Sequence, residues 1–330
     1  MANYELSDDS VVVIIGSGAG GGTLANELCQ KGIKVVLLEA GPRHTIRDFV
    51  NNEWAAFSML AWTDKRTASG NWRVVKDFPN LPTWACKTVG GTTVHWAGAS
   101  LRFQEHEFQA RTTCSVFAIF DQPVHMYRGT TMAGIVMDEA SNDPSRGFVG
   151  GYHMETISFG VPFLAAFLNP GAWGRDYTSL LEGYSNMAGM WLVGEDMPSA
   201  TNRITLNPSE KDQWGLPIPD VHYDDHENDI AMRNHAFKQG DAVYQAVEAT
   251  QTIEVPPYPS THNLGTCRMS ANSRDGACNK FGQTHDIANL FISDGSQFTS
   301  GGAENPTLTI VTLAIRQSDY VADQMGKNQI

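Results

Sequence analysis

Grouped basic residues are absent from this sequence. Its 330 residues include 23 Lys and Arg against 36 Asp and Glu, which gives a formal net charge of −13. A nucleic-acid surface or an anionic membrane surface needs clustered Lys and Arg, so this balance argues against both partners. With 42% hydrophobic and 18% charged residues, the chain has the composition of a globular protein with a sizeable core. A small neutral substrate fits the overall charge better.

Cysteine is scarce, and no two cysteines have the C-x-x-C spacing. Their number is odd, and their positions match neither a disulfide framework nor a zinc or iron–sulfur site. We therefore expect reduced thiols and no bound metal. The five residues are Cys29, Cys86, Cys114, Cys267 and Cys278.

The start of the chain lacks the features of a signal peptide. The segment MANYELSDDS is acidic and leads directly into the apolar run VVVII, without a basic flank or a small-residue cleavage site. The longest stretch without a charged side chain, residues 156–174, is interrupted by Pro162 and Pro170 and is too short for a membrane span. These features predict a cytoplasmic protein. Periplasmic export together with a signal-bearing partner subunit would leave no trace in this sequence.

The N-terminal region has the pattern of a β-turn-α-β unit. A β-branched run at residues 11–15 is followed by the turn GSGAGGG, a segment of helical period and a second apolar run, IKVVLLEAG. A run that is apolar on both faces indicates a strand buried within a parallel sheet. The glycines would then lie at the carboxyl edge of the sheet, where α/β proteins bind ligands.

Three of these glycines match the G-x-G-x-x-G pattern of dinucleotide sites. Gly16 would form the tight turn, Gly18 would let a pyrophosphate approach the backbone, and Gly21 would let the helix pack on the strand. Glu39 ends the second strand, where its carboxylate can accept the hydroxyl protons of an adenosine ribose. Because this carboxylate would repel a 2′-phosphate, the pattern favours FAD or NAD over NADP. The alternative is a glycine-rich turn that binds no ligand.

Further along the chain, several ordered motifs resemble those of the glucose-methanol-choline (GMC) oxidoreductase family. The likeness is greatest to the large subunits of bacterial FAD-dependent glucose and gluconate dehydrogenases. It implies a Rossmann-like FAD-binding domain formed by residues 1–113 and 256–330, and an α+β substrate domain formed by residues 114–255. The motifs are VVVIIGSGAGGGTLANEL, TVGGTTVHWAGASLRF, HNLGTCRM, NLFISDGS and NPTLTIVTLAIR.

The resemblance also implies which residues contact the flavin. In some members of the family a histidine in the second motif is bonded covalently to the flavin, and His95 occupies that position; the alternative is that His95 and Trp96 only pack near the ring. Asp294 would follow a buried strand and accept a hydroxyl proton, although Asp-Gly also favours a simple turn. The expected cofactor contacts in these two motifs are Gly90, Gly91, Thr92, His95, Asp294 and Gly295.

Two residues match the catalytic pair of the family. His262 would be the base that takes the hydroxyl proton, and Asn305 would donate its amide N–H to the substrate oxygen. The alternatives are a loop histidine bonded to backbone and a turn residue before a proline. Cys267, five residues after His262, is expected to be packing and not a nucleophile. Residues 222–226 suggest a metal site by composition, but Asp225 or Asn228 is better interpreted as a helix N-cap.

The resemblance has a gap in the middle. After residue 113 the chain continues with CSVFAIFDQPVHMYRGTTM, which resembles family sequence from much further downstream. The missing segment would contain the third strand of the dinucleotide-binding sheet and, in some bacterial members, a cysteine cluster. We therefore expect an incomplete sheet, which would leave backbone groups unpaired and an apolar face uncovered.

The sequence thus predicts an FAD-dependent alcohol or sugar dehydrogenase that acts on CH-OH donors. It would oxidise a sugar, sugar acid or polyol by proton abstraction at His262 and hydride transfer to flavin N5. The implied partners are the small substrate and an external electron acceptor, either a quinone, a cytochrome or oxygen, with a small or cytochrome subunit also compatible. Two alternatives stay open: an NAD-dependent dehydrogenase, and an internally deleted, non-catalytic remnant that binds FAD weakly or not at all.

Overall fold

A computed structural model gives the fold of the chain. It describes residues 4–5, 7–50, 52, 55, 66–95, 110–158, 160, 165, 168–258, 262–302 and 305–330. The strands are β1 (Val11–Ile15), β2 (Lys34–Leu38), β3 (Thr67–Ser69), β4 (Ala110–Ile119), β5 (Ile135–Val136), β6 (Tyr152–Ile157), β7 (Met187–Asp196), β8 (Arg203–Lys211), β9 (Pro217–His222) and β10 (Gln251–Val255). The helices are α1 (Ala19–Gln30), α2 (Val74–Asp77), α3 (Gly174–Glu182), α4 (Glu227–Ala246) and α5 (Thr307–Gly326).

The predicted β-turn-α-β unit is confirmed. Strands β1 and β2 pair in parallel, with Val11 opposite Lys34, and α1 connects them. On its inner side α1 places Leu24 and Leu28 against the C-terminal helix α5. The two ends of the chain therefore form one dinucleotide-type layer.

The predicted burial of β1 is wrong. The side chains of Val13 and Ile15 are 57% and 86% exposed, and Leu38 on β2 is 53% exposed. Within the described ranges the sheet holds only β1 and β2, so nothing covers the outer edge of β1 there. Among the described residues this sheet therefore has two strands, which is compatible with the gap in the resemblance.

The predicted strand at residues 289–294 is also wrong. This segment makes a single bridge, between Gln283 and Phe291, before a 3-10 turn at Gly295–Gln297. The backbone groups of Ile292 are used elsewhere: its N–H donates to Gly282 O at 2.8 Å, and its carbonyl accepts from the Gln317 side chain at 2.8 Å. Because these bonds hold the segment against the loop before it and against α5, it does not extend the β1–β2 sheet.

A five-stranded antiparallel sheet forms the centre of the molecule, in the order β10-β4-β7-β6-β5. Because side chains alternate along each strand, its two faces differ. One face packs on α4, with Met154 and Leu192 against Met232. The opposite face carries Trp191, which packs in one buried cluster with Tyr258. A smaller sheet, in the order β3-β9-β8, lies beside it.

Two helix predictions need correction. The N-cap of α4 is His226, whose Nδ1 accepts the N–H of Asn228 at 3.1 Å, and neither Asp225 nor Asn228 takes that position. The sequence of α5 has apolar residues at helical spacing, Leu308, Val311, Ile315 and Val321, and this pattern predicts that they share one buried face. Leu308 and Ile315 are nevertheless 44% and 41% exposed. The helix instead buries the small residues Ala314 and Ser318 together with Gln317 and Val321.

Among the described helices, none is long and apolar enough to cross a bilayer. The domain division at residues 113 and 255 stays a prediction.

Candidate functional site

The glycine turn after β1 leads directly into the N-terminus of α1. Gly16 has a φ of +89°, which favours glycine, and its N–H donates to Leu38 O at 2.7 Å. Helix α1 starts at Ala19, and its N-cap, Gly18, supplies no side-chain hydrogen bond. The first N–H groups of the helix therefore have no side-chain acceptor, and together with the helix dipole they suit an anion such as a pyrophosphate.

Close backbone contacts explain why the turn consists of glycines. A Cβ on Gly21 would lie 2.1 Å from Gly16 O, which confirms the predicted packing of helix on strand. A Cβ on Gly20 would lie 1.5 Å from Ser293 O. This second contact was not predicted, because it joins α1 to a segment more than 270 positions away in the chain.

Glu39 lies beside this turn, as predicted. Its Oε2 accepts the N–H and the hydroxyl of Ser17 at 2.8 and 2.6 Å, and its Oε1 accepts the N–H of Gly41 at 2.9 Å. Partial burial acts to raise the pKa of Glu39, but these hydrogen bonds outweigh burial and lower it. A carboxylate thus holds the turn and stands where a ribose would be recognised.

The second glycine-rich loop contacts the first. Gly90 N–H donates to the Ser17 hydroxyl at 3.1 Å, and Gly91 N–H donates to Thr88 O at 2.8 Å. A Cβ on Gly91 would lie 2.9 Å from the Cα of Gly18, so only glycine permits this approach. Both N–H groups therefore already have acceptors within the protein. His95 ends the 3-10 turn at Gly91–His95 and is exposed, and Trp96 lies outside the described residues.

The glycine turn and the start of α1 border one large groove, about 1360 Å³ in volume. Its described lining also includes Thr92 and Asp294 but not the other predicted cofactor contacts, Glu39, Gly90, Gly91, His95 and Gly295. Asp294 Oδ1 caps the 3-10 turn by accepting the N–H and hydroxyl of Ser296 at 2.9 and 2.5 Å, and the residue is exposed. The groove exceeds the volume of about 300–1,000 Å³ that is usual for ligand sites.

The His262 loop runs beside the segment that contains Asp294. Three backbone bonds join the two segments: Gly265 N–H to Gly295 O at 3.2 Å, Cys267 N–H to Ser296 O at 2.8 Å, and Met269 N–H to Gln297 O at 2.7 Å. His262 lines a second cavity, of about 220 Å³. Cys267 and Asp294 line the large groove instead. The segment from His262 to Arg268 thus forms a wall between the cavity, named here the His262 pocket, and the groove.

Aromatic and charged side chains form the rest of the His262 pocket. Trp72 and Tyr223 contact each other with ring centroids 5.1 Å apart, and Tyr258 closes the other side. Arg233 donates to Asp225 at 2.9 and 3.4 Å, so these two charges are paired. The lining also includes Asp196, Arg203, His222 and Arg268.

Two buried carboxyl groups at one side of the pocket were not predicted. Asp196 accepts the Tyr223 hydroxyl at 2.7 Å, and Asp229 accepts the N–H of Met197 at 2.9 Å. Burial, reinforced by the nearby Asp229, raises the pKa of Asp196 well above its usual range. Burial also raises the pKa of Asp229. The shift favours the neutral form of Asp196 at the pocket wall.

Asn305 contacts a strand of the central sheet. Its amide Nδ2 donates to Glu155 Oε1 at 3.3 Å, and the same oxygen lies 3.0 Å from Nε2 of His153. Both Glu155 and His153 are almost fully buried. This hydrogen bond holds the side-chain amide of Asn305 against β6.

Comparison with known proteins assigns a family to part of the chain. Residues 198–314 match the family model described as GMC oxidoreductase. This part of the chain is a GMC oxidoreductase C-terminal domain. The matched region contains the His262 loop, Asp294, Gly295 and Asn305.

Curated relatives of the chain include three dehydrogenases. The 2-methyl-1,2-propanediol dehydrogenase of Mycolicibacterium austroafricanum is 39% identical over 208 residues, covering 59% of this chain and 37% of the relative. The fructose dehydrogenase large subunit of Gluconobacter japonicus is 32% identical over 40% of this chain and 24% of the relative. The gluconate 2-dehydrogenase flavoprotein of Pantoea cypripedii is 23% identical over 67% and 39%. The matched parts therefore span about a quarter to two-fifths of these relatives.

Solved structures show the same fold. Pyridoxine 4-oxidase from Mesorbium loti has a TM-score of 0.58 at 11% identity, covering 94% of this chain and 98% of that chain. An R554K variant of formate oxidase from Aspergillus oryzae RIB40, studied for its FAD modification, has a TM-score of 0.60 at 11% identity, covering 97% and 99%. The predicted fold class, a Rossmann-like layer with an α+β part, is confirmed.

The structure thus groups most of the predicted residues at two places. Gly16, Gly18, Glu39, Gly90 and Gly91 meet at the turn before α1. The other group lies along the segments at residues 262–269 and 294–297, which are bonded to each other. The functional roles of both groups stay predictions.

Proposed function

We propose that the chain is the flavin-binding and substrate-binding part of an FAD-dependent oxidoreductase acting on CH-OH groups of a sugar, sugar acid or polyol. The observation that carries the proposal is the wall formed by residues 262–268. Its first residue, His262, lines the small pocket, while Cys267 and the bonded partner segment line the dinucleotide groove. A proton-accepting imidazole and a cofactor groove on the two sides of one short segment suit alcohol oxidation.

The groove has the features that an FAD molecule requires. The uncapped first turn of α1 would hold the pyrophosphate, with Gly18 and Gly21 allowing its approach and Glu39 at the ribose. Thr92 and the second carboxylate oxygen of Asp294 would contact the flavin end. When bound, the flavin supplies the acceptor for a hydride. A covalent bond through the exposed His95 is a further proposal, and it can be tested by acid precipitation.

His262 would take the proton of the substrate hydroxyl. An imidazole can accept a proton at neutral pH, and positioned bases of this kind contribute about 10²–10⁴-fold to a rate. Asn305 would hold the substrate oxygen through its side-chain amide, which Glu155 orients by accepting a hydrogen bond from Nδ2. The aromatic side chains of Trp72 and Tyr258, which line the pocket, would contact the carbon skeleton of the substrate.

The electron acceptor and any partner subunit are also proposals. The relatives are named as dehydrogenases, and two of those names refer to a large subunit and a flavoprotein. An external acceptor, either a quinone, a cytochrome or oxygen, and a second subunit are therefore compatible with this chain.

A second candidate function is a non-catalytic remnant of the family. The exposed side chains of Val13 and Ile15 favour it, because the described part of the dinucleotide sheet ends at β1. In that case the groove would bind FAD weakly or not at all.

Anaerobic bleaching of the flavin separates these functions. The purified chain is mixed with FAD, freed of unbound flavin and exposed to sorbitol and to gluconate without oxygen. Loss of the visible flavin band on adding either compound is the expected result. A retained flavin that neither these nor other polyols reduce would contradict the proposed reaction, and turnover that requires NAD instead of FAD would favour the other dehydrogenase class.

A further inference from the structure

The charge of the His262 pocket differs in sign from that of the chain. The whole chain carries a formal net charge of −13, yet three arginines and only two aspartates line this pocket. Arg233 is paired with Asp225 at 2.9 Å. The second aspartate, Asp196, is buried near Asp229, and burial together with this neighbouring carboxyl group raises its pKa and favours its neutral form. Positive charge therefore remains on the other two arginines.

Those two arginines have no carboxylate partner among the residues that the structure describes. Arg268 uses its Nε to donate to the carbonyl oxygen of Asp275 at 2.6 Å, which leaves its terminal N–H groups for another acceptor. Arg203, at the start of β8, makes no ion pair within the described part of the chain. Both residues are exposed at the pocket, so an incoming ligand can reach them.

The two guanidinium groups belong to the same cavity as the proposed base. Arg268 ends the wall segment that begins with His262, and Arg203 enters the lining from the β8–β9 sheet. A guanidinium binds a carboxylate through two parallel N–H···O bonds, a strong and directional contact. The cavity of about 220 Å³ corresponds to about seven water molecules at about 30 Å³ each. This volume suits one small hydroxy acid and excludes an oligosaccharide.

We propose that the His262 pocket selects a polyhydroxy carboxylate, with Arg203 and Arg268 binding its carboxylate while a hydroxyl faces His262. The proposal rests on the proposed function, because it names the substrate class of that same site. It replaces the neutral substrate expected from the overall charge, since recognition depends on the charges that line the pocket.

Binding measured by calorimetry tests this selection without any turnover. The full chain, loaded with FAD, is titrated with gluconate and with sorbitol, a neutral polyol with the same number of carbons. Wild type should bind gluconate more tightly. Arg203→Gln and Arg268→Gln should each weaken gluconate binding about 10–100-fold, because each removes a charge-assisted hydrogen bond, and should change sorbitol binding less than about twofold.

Arg274→Gln is the matched control. It removes the same charge six positions from Arg268, and Arg274 is exposed but does not line the pocket. Gluconate binding by this variant should equal that of wild type. Equal affinity of wild type for the two ligands, or an equal loss in the control, would overturn the proposal.

The result also separates this inference from the proposed function. Arginine-dependent gluconate binding without flavin reduction would support the anion site and contradict CH-OH oxidation. Reduction of the flavin by sorbitol as fast as by gluconate, with no effect of either arginine, would support the oxidation and overturn the selection. Because both arginines are exposed, the two variants are expected to fold, and their unfolding temperatures check this.

Discussion

His262→Ala should slow reduction of the bound flavin by a polyol about 10²–10⁴-fold, the usual contribution of a positioned base. The pocket would lose the base proposed to take the hydroxyl proton, while the groove on the other side of the wall segment would keep its lining. Flavin content should therefore stay at the wild-type level. Anaerobic stopped-flow measurement of the flavin band gives the rate, and the ratio of flavin to protein absorbance gives the occupancy.

His125→Ala is the control for this experiment. His125 bonds the Tyr127 hydroxyl at 3.0 Å and does not line the pocket, so its removal deletes an imidazole without touching the proposed site. We expect its rate to equal that of wild type. A His262→Ala protein that reduces flavin within about threefold of the wild-type rate would contradict the role of base, because a positioned base contributes far more.

The second large effect concerns the two neighbouring isoleucines of β1. Ile14 is 6% exposed and packs with Leu24, Leu28 and Ala314, whereas Ile15 is 86% exposed. Ile14→Ala should lower the free energy of unfolding by about 2–5 kcal/mol, since it removes buried methylene groups and leaves a cavity. Ile15→Ala should lower it by about 1 kcal/mol or less, because only strand propensity is lost.

Urea unfolding of the two variants measures this difference. The pair is closely matched, since both changes remove the same atoms from adjacent positions of one strand. If Ile15→Ala lowers the free energy of unfolding as much as Ile14→Ala does, then Ile15 is covered in the folded protein. The open two-strand sheet described above would then be wrong.

Local features of the fold were predictable from the sequence. The β1-turn-α1-β2 unit follows from a β-branched run, a glycine turn and a helical period that lie next to one another. The placement of Glu39 beside the turn follows in the same way, because the end of β2 must adjoin the end of β1. These predictions need no contact between distant parts of the chain.

Features that depend on distant contacts were not predictable. Burial of β1 depends on whether a further strand covers it, which the sequence of β1 cannot report. The buried face of α5 is set by Gln317, whose amide donates to Phe281 O and Ile292 O, so the helix turns away from its most apolar stripe. The contact of Asn305 with Glu155 joins positions 150 residues apart. The only signal in the sequence is the spacing of His153 and Glu155, two titratable residues on one face of a strand.

The charge of the substrate pocket shows the same limitation. Composition describes the chain as acidic, but the fold pairs one pocket aspartate with Arg233 and buries the other. The residual positive charge arises from arginines on two separate elements, β8 and the His262 loop.

Titration of the purified chain with FAD tests the central claim, that the glycine turn and its groove hold a flavin despite the two-stranded sheet. We predict saturation at one FAD per chain, and at least a tenfold weaker affinity for Gly18→Ala, because a methyl group there obstructs the pyrophosphate. A Cβ on Gly18 would lie 4.0 Å from the nearest heavy atom, Gly91 Cα, so the variant should fold. Gly326→Ala, with nothing within 4 Å, is the matched control and should bind FAD as wild type does. Folded wild-type protein that binds no FAD, or Gly18→Ala protein that binds it equally well, would contradict the account.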